Sequence, residues 1–178
     1  MTDKLIYLLE WIAGIMEHPQ LEFMKLAIDY AIGAAKSGDY GIGAVLVSDL
    51  GEVTAAASNG TKINQDPTRH AELIAIRLAA TKLMTRHLGG LVLYTTHEPC
   101  SMCTSAAVWS RLKGIVYGAS IEDMKEHSQS NNNGDYLWRT INIGCREIIQ
   151  RSSSDNGIFV IGPYMQEECK QLFKLTTS

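Results

Sequence analysis

Proline is scarce in this chain, four in 178 residues, and glycine stands at 15. A collagen-like or low-complexity polymer is thereby excluded. An excess of one charge is also missing. Sixteen Lys and Arg against 19 Asp and Glu leave a net charge of −3, with the basic residues spread from Lys4 to Lys174. Without a basic block, a strong electrostatic grip on nucleic acid is not implied. The four cysteines, Cys100, Cys103, Cys145 and Cys169, do not make a secreted disulfide framework. Long apolar runs are absent too. Leu5 to Met16 is interrupted by Glu10 and is too short to span a bilayer. It lacks a basic leader and a small-residue cleavage site, so a reducing cytoplasm is the expected location.

What is present is an ordinary globular composition, 46% apolar and 20% charged. At about 100–200 residues per domain this predicts one domain over 1–178, large enough to enclose a core. Thr2 and Asp3 can cap an extra N-terminal helix over about residues 3–16, apolar nearly all round. A second helix fits Leu21 to Ser37, stopped by Gly38. Ile42–Ser48 and Glu52–Ser58 predict a hairpin about Asp49-Leu50-Gly51.

Thr68 or Asp66 is expected to cap a helix ending near Leu83, and Leu91–Thr95 reads as a strand. Pro99 suits the first turn of a helix to about Arg111, and Gly114–Ala119 reads as the next strand. Glu126 to Asp135, polar and Asn-rich, predicts a loop. Ile158–Ile161 gives a fifth strand and Pro163–Leu175 a closing helix. A hairpin followed by helix, strand, helix, strand predicts a three-layer α/β/α sandwich around a mixed five-stranded sheet.

Two motifs carry chemistry. His70-Ala71-Glu72 opens one predicted helix, and Pro99-Cys100-Ser101-Met102-Cys103 opens another. One imidazole and two thiolates suit zinc, one ion per chain, and the positive end of a helix favours the thiolate. Three protein ligands leave a fourth tetrahedral position open, which marks a catalytic rather than a structural site. Zinc there makes a water acidic enough to act near neutral pH. Glu72, two residues from a ligand, can take and return a proton. The bland alternative is a closed structural site with His97 as fourth ligand, which would leave Glu72 without a role.

The pairing of H-x-E with P-C-x-x-C is the signature of zinc nucleobase deaminases. Gly41 to Ser120 resembles the cytidine deaminase-like superfamily, and within it the branch of tRNA adenosine deaminases and guanine deaminases. The likeness lies in Ile42-Gly43-Ala44-Val45-Leu46-Val47, in Asp66-Pro67-Thr68-Arg69-His70-Ala71-Glu72, in Glu98-Pro99-Cys100 through Cys103, in Ser110-Arg111 and in Val116-Tyr117-Gly118-Ala119.

The resemblance implies His70, Cys100 and Cys103 as metal ligands and Glu72 as the catalytic acid–base. It also implies Asn59, eleven residues before His70, as a substrate-binding residue, with the Ala71 backbone N–H beside it. Read locally, Asn59-Gly60 is only a turn after a strand. Ser105, where the family has glycine, and His97 depart from the pattern. So do the Ser128–Trp138 segment and the C-terminal segment, which are expected to close the pocket; Trp138 reads as a packing residue or, alternatively, as a substrate-binding cover.

Other residues have plainer readings. His18, His87 and His127 are expected at the surface, His97 in a loop or behind the ligands, and Trp11 and Trp109 in packing. Cys145 and Cys169 are expected as buried thiols. The implied function is hydrolytic deamination of a purine or purine-like base or nucleoside. The alternatives are tRNA adenosine-to-inosine deamination and a cytosine or cytidine deaminase. A small molecule is favoured over tRNA because phosphate contacts call for gathered Lys and Arg, and the final predicted helix offers only Lys170 and Lys174. No membrane partner is expected. A homodimer is, from apolar surplus at Val108, Trp109, Tyr7 and Trp11.

Overall fold

The computed structural model describes residues 16–130, 141–152 and 157–175. Helix α1 spans Leu21–Lys36, strand β1 Gly43–Ser48 and β2 Val53–Ser58. A short helix α2, Thr61–Asn64, precedes α3, Ala71–Lys82. Strand β3 spans Leu91–His97, α4 Ser101–Trp109, β4 Gly114–Ala119 and α5 Ile121–Ser130. Helix α6 covers Cys145–Gln150, β5 Phe159–Ile161 and α7 Gln166–Gln171, which runs into a 3-10 turn at Leu172–Leu175.

The five strands form one mixed sheet in the order β2-β1-β3-β4-β5. The hairpin β1–β2 and the pair β1–β3 are antiparallel, whereas β3–β4 and β4–β5 are parallel. Helices cover both faces, which explains why β1, β3 and β4 are apolar without alternation. Ala44, Leu46, Leu93 and Ile115 turn one way, toward Ala71, Ala75 and Ala79 of α3 and Ala107 of α4. Val45, Val47, Val92, Tyr94 and Val116 turn the other way, toward Phe23, Met24 and Ala27 of α1 and Cys169 and Phe173 near the C-terminus. The expected three-layer sandwich is present.

Alanine on the inner faces of α1 and α3 lets both helices lie close to the sheet. The approach is tightest at Gly43, where a Cβ would overlap the Ala27 carbonyl oxygen. Gly38, at φ +85°, follows the C-cap Ser37 and ends α1 as expected.

Several expectations change. Helix α3 begins at Ala71 with His70 as N-cap, so neither Thr68 nor Asp66 caps it. Asp66 instead accepts hydrogen bonds from the Thr68 N–H and hydroxyl, closing the turn that leads into His70. Pro99 stands just outside α4, whose N-cap is Cys100. Glu126–Ser130 are helical rather than loop, as the last turn and a half of α5. Its inner positions Ile121 and Met124 are buried against the core, and that packing overrides the polar composition downstream. Residues 131–140, with Trp138, and residues 1–15, with Tyr7, Trp11 and nearly all of the predicted N-terminal helix, lie outside the described residues.

His18 is not a surface residue. It is half-buried, with Nδ1 2.7 Å from the Tyr94 hydroxyl. Burial is the chief cause that lowers its pKa. Trp109 is the converse: expected in packing, it is 83% exposed.

Candidate metal and active site

His70 and Cys100 are the N-caps of α3 and α4, and both helices lie on the same face of the sheet. Neither residue makes a side-chain capping bond, so each is available to its neighbours across the helix pair. Cys103, one turn into α4, is buried. The His70 Nδ1 lies 3.6 Å from Cys100 Sγ and 3.5 Å from Cys103 Sγ, and the two sulfurs are 3.6 Å apart.

Ideal tetrahedral zinc, with Zn–S about 2.3 Å and Zn–N about 2.0–2.1 Å, separates two sulfurs by about 3.8 Å and sulfur from nitrogen by about 3.6 Å. The donor triangle therefore has the size the ion requires. Its electrostatics point the same way. The hydrogen bond from Cys103, more than the one from His70, draws the Cys100 thiol down to about 4. The Cys103 thiol is pushed up by the Cys100 sulfur and by burial. Both sulfurs can therefore carry charge together only when a cation lies between them. These three residues are also the group of His, Cys, Asp and Glu side chains that converges to metal-ligand spacing among the described residues.

His97 does not join them. It ends β3, is buried, and stacks edge-on against Phe173 with ring centroids 4.9 Å apart. Its Nδ1 is 2.9 Å from the Thr96 hydroxyl. A closed four-ligand site through His97 is thus not formed.

Glu72 sits in the first turn of α3 and is 3% exposed. Its Oε2 is buried with no hydrogen-bond partner. Burial, more than anything else, pushes its carboxyl pKa up. Ala71 between them is fully buried at the start of the helix, where backbone N–H groups have no intrahelical acceptor.

Asn59 follows β2 and is 4% exposed, with Oδ1 buried and unpartnered. The next residue, Gly60, donates its N–H to the Arg69 carbonyl at 3.0 Å. That bond ties the hairpin end to the residue before His70.

Two residues that sequence reasoning missed hold this arrangement. Asp39 accepts from the Asn59 amide at 2.7 Å, across a separation of 20 residues. Glu98 places Oε1 on the Cys145 N–H at 2.9 Å and Oε2 on the Ile121 N–H at 3.1 Å. It thereby anchors the starts of α5 and α6 beside the cysteine pair. Glu98 stood in the Glu-Pro-Cys motif, so its type was visible and only its partners were not. Asp39 carried no local signal beyond a helix stop. Cys145 and Cys169 are buried thiols, as expected, each pushed to about 12 chiefly by burial. Ser105 lines a groove between α3, α4 and α6, on the side of Trp109.

A mixed five-stranded sheet with a His-Cys-Cys cluster at two helix starts defines the class of zinc-binding deaminase-like proteins. Residues 17–119 match the family described as the cytidine and deoxycytidylate deaminase zinc-binding region, and the chain belongs to that family. It is 40% identical over 97 residues to the tRNA-specific adenosine deaminase of Aquifex aeolicus, covering 54% of this chain and 64% of that one. It is 40% identical over 105 residues to the guanine deaminase of Bacillus subtilis, covering 58% of this chain and 67% of that one. A solved structure from studies of A-to-I editing by tRNA:A34 deaminases superposes with a TM-score of 0.70 at 29% identity. It covers 86% of this chain and 99% of that chain.

Proposed function

We propose that this protein hydrolytically deaminates a purine or purine-like base or its nucleoside. The observation that carries the reading is Glu72: a buried carboxylate with one unpartnered oxygen, two residues from a ligand of an open three-donor metal site. Zinc held by His70, Cys100 and Cys103 would supply Lewis acidity and lower the pKa of a water in the fourth position.

In the net reaction, water adds to the ring carbon bearing the exocyclic amine, the C–N bond breaks, ammonia leaves and a carbonyl remains. Glu72 takes one proton from the water on its free oxygen and passes it to the ring nitrogen, then takes the second from the newly added hydroxyl as the carbonyl forms and passes it to the departing amine. Its low exposure excludes bulk water, and its unpartnered oxygen is free to accept a proton and give it up again. Asn59 and the Ala71 N–H hold the substrate. Trp138 remains the proposed cover.

The charge distribution supports a small substrate. Lys170 lies 3.5 Å from Glu167 and 3.7 Å from Asp123, and Lys174 donates to Gln171, so the C-terminal cations are engaged locally. A tRNA adenosine is the second reading, favoured by the likeness to the Aquifex enzyme. An ammonia-release screen over free bases, nucleosides, nucleotides, cytosine, cytidine and a tRNA anticodon hairpin tests the choice. A hairpin turned over faster than every small molecule would replace the first reading with the second.

The proposed assembly is a homodimer. Trp109 projects beside a groove of about 910 Å³ lined in part by Ile76, Ala80, Val108 and Ile143. A two-fold pairing would seat the indole of each copy in the groove of the other. No described helix is long and apolar enough to cross a membrane. A cytoplasmic location is proposed, and the free state of Cys100, Cys103, Cys145 and Cys169 suits a reducing compartment.

A further inference from the structure

An asparagine offers a substrate two N–H donors and one carbonyl acceptor. In Asn59 both donors are engaged within the protein: Nδ2 donates to Asp39 Oδ1 at 2.7 Å and to Thr61 Oγ1 at 2.9 Å. The acceptor Oδ1 is left buried and unpartnered. This orientation is forced, because a carboxylate can only accept, and turning the amide over would set oxygen against oxygen.

Asp39 is itself immobilised. Its Oδ1 also accepts from the Tyr40 N–H at 2.8 Å and the Thr61 hydroxyl at 3.2 Å. Its Oδ2 accepts from the Lys62 and Ile63 N–H groups, each at 2.9 Å. Burial opposes the charge, yet these donors outweigh it and hold the carboxyl below its ordinary value.

We propose that Asp39 is a positioning residue that locks the Asn59 amide so that Asn59 is an acceptor only, selecting substrates that present an N–H or O–H donor to it. The inference rests on the deaminase reading, and it names the class of group recognised. A free purine base offers a ring N–H. A nucleoside offers a ribose hydroxyl.

Asp39→Asn tests it. The Lys62 and Ile63 N–H groups keep the new side chain's oxygen, so its NH2 faces Asn59. The Asn59 amide then turns over and shows a donor where an acceptor stood. Asp39→Asn combined with Asn59→Asp restores an acceptor on both sides. The measurements are zinc per chain, KM and kcat for ammonia release from guanine and from adenosine, and solvent exchange of the Asn59 side-chain amide protons by NMR in the zinc-loaded, ligand-free protein.

The expected result for Asp39→Asn is unchanged zinc, a KM raised about 10- to 100-fold with kcat within threefold, and loss of amide protection. The double variant should recover most of the KM. A KM within twofold of the parent, or a double variant no better than Asp39→Asn, overturns the proposal. If the parent releases no ammonia from any compound in the screen, the deaminase reading fails, and amide exchange alone then decides the lock. Amide protons protected in the parent and exposed by Asp39→Asn support it, and equal exchange in the two proteins overturns it.

Discussion

Cys103 Sγ lies 3.5 Å from the Nδ1 of His70, a residue 33 positions earlier in the chain. The contact requires α3 and α4 to start side by side on one face of the sheet, and it fixes the expected outcome of removing a ligand. Cys100→Ala should lose both bound zinc and activity. Cys145→Ser, in a thiol that is buried away from the cluster, should keep its zinc. Elemental analysis of the purified proteins checks both. Full zinc in Cys100→Ala would refute the ligand set.

Glu72→Gln separates chemistry from metal binding. The amide fills the same space but cannot carry the proton. Zinc content and substrate affinity should persist while kcat falls by about 10²–10⁴-fold or more, since the carboxylate acts more than once. Steady-state kinetics beside calorimetric binding make the comparison. A folded, zinc-loaded variant with near-normal turnover would falsify the mechanism.

His97 predicts a stability change with pH. Burial lowers its imidazole pKa to about 3 in the folded protein, whereas the unfolded chain titrates near 6.5. Between these values the unfolded state binds more protons, so this contribution is complete above the unfolded pKa and is lost as pH falls. The loss from pH 7 to pH 5 is roughly 2 kcal/mol. His97→Asn, which keeps a polar partner for Thr96, should remove that part of the slope. Urea unfolding of both proteins at pH 7, 6 and 5 isolates it, because the other titrating groups are shared. Parallel slopes would show that His97 is not held neutral.

Trp109→Glu tests the homodimer. At 83% exposure the indole supports no internal packing, so the fold and zinc content should survive while the dimer dissociates at micromolar concentration. Light scattering distinguishes the outcomes. A parent protein that is already monomeric would end the assembly proposal.

The sequence by itself determined the layers and the chemistry. The order of a hairpin followed by helix, strand, helix and strand marked the layers, because crossover helices must pack on the faces of the sheet they connect. The donor types of His70, Cys100 and Cys103 named the metal, since ligand softness is a property of the side chain alone. Local signals failed where packing competes with composition. The tail of α5 is polar, yet it is carried into helix by Ile121 and Met124 on the core.

Only the tertiary structure decided which residues hold the site. Asp39 and Asn59, Glu98 and Cys145, and His97 and Phe173 are separated by 20, 47 and 76 positions in the chain. Nothing periodic links them. Whether an acidic side chain caps a helix, pairs with an amide or faces solvent depends on which N–H groups the folded sheet brings within about 3 Å, and sequence spacing does not encode that distance.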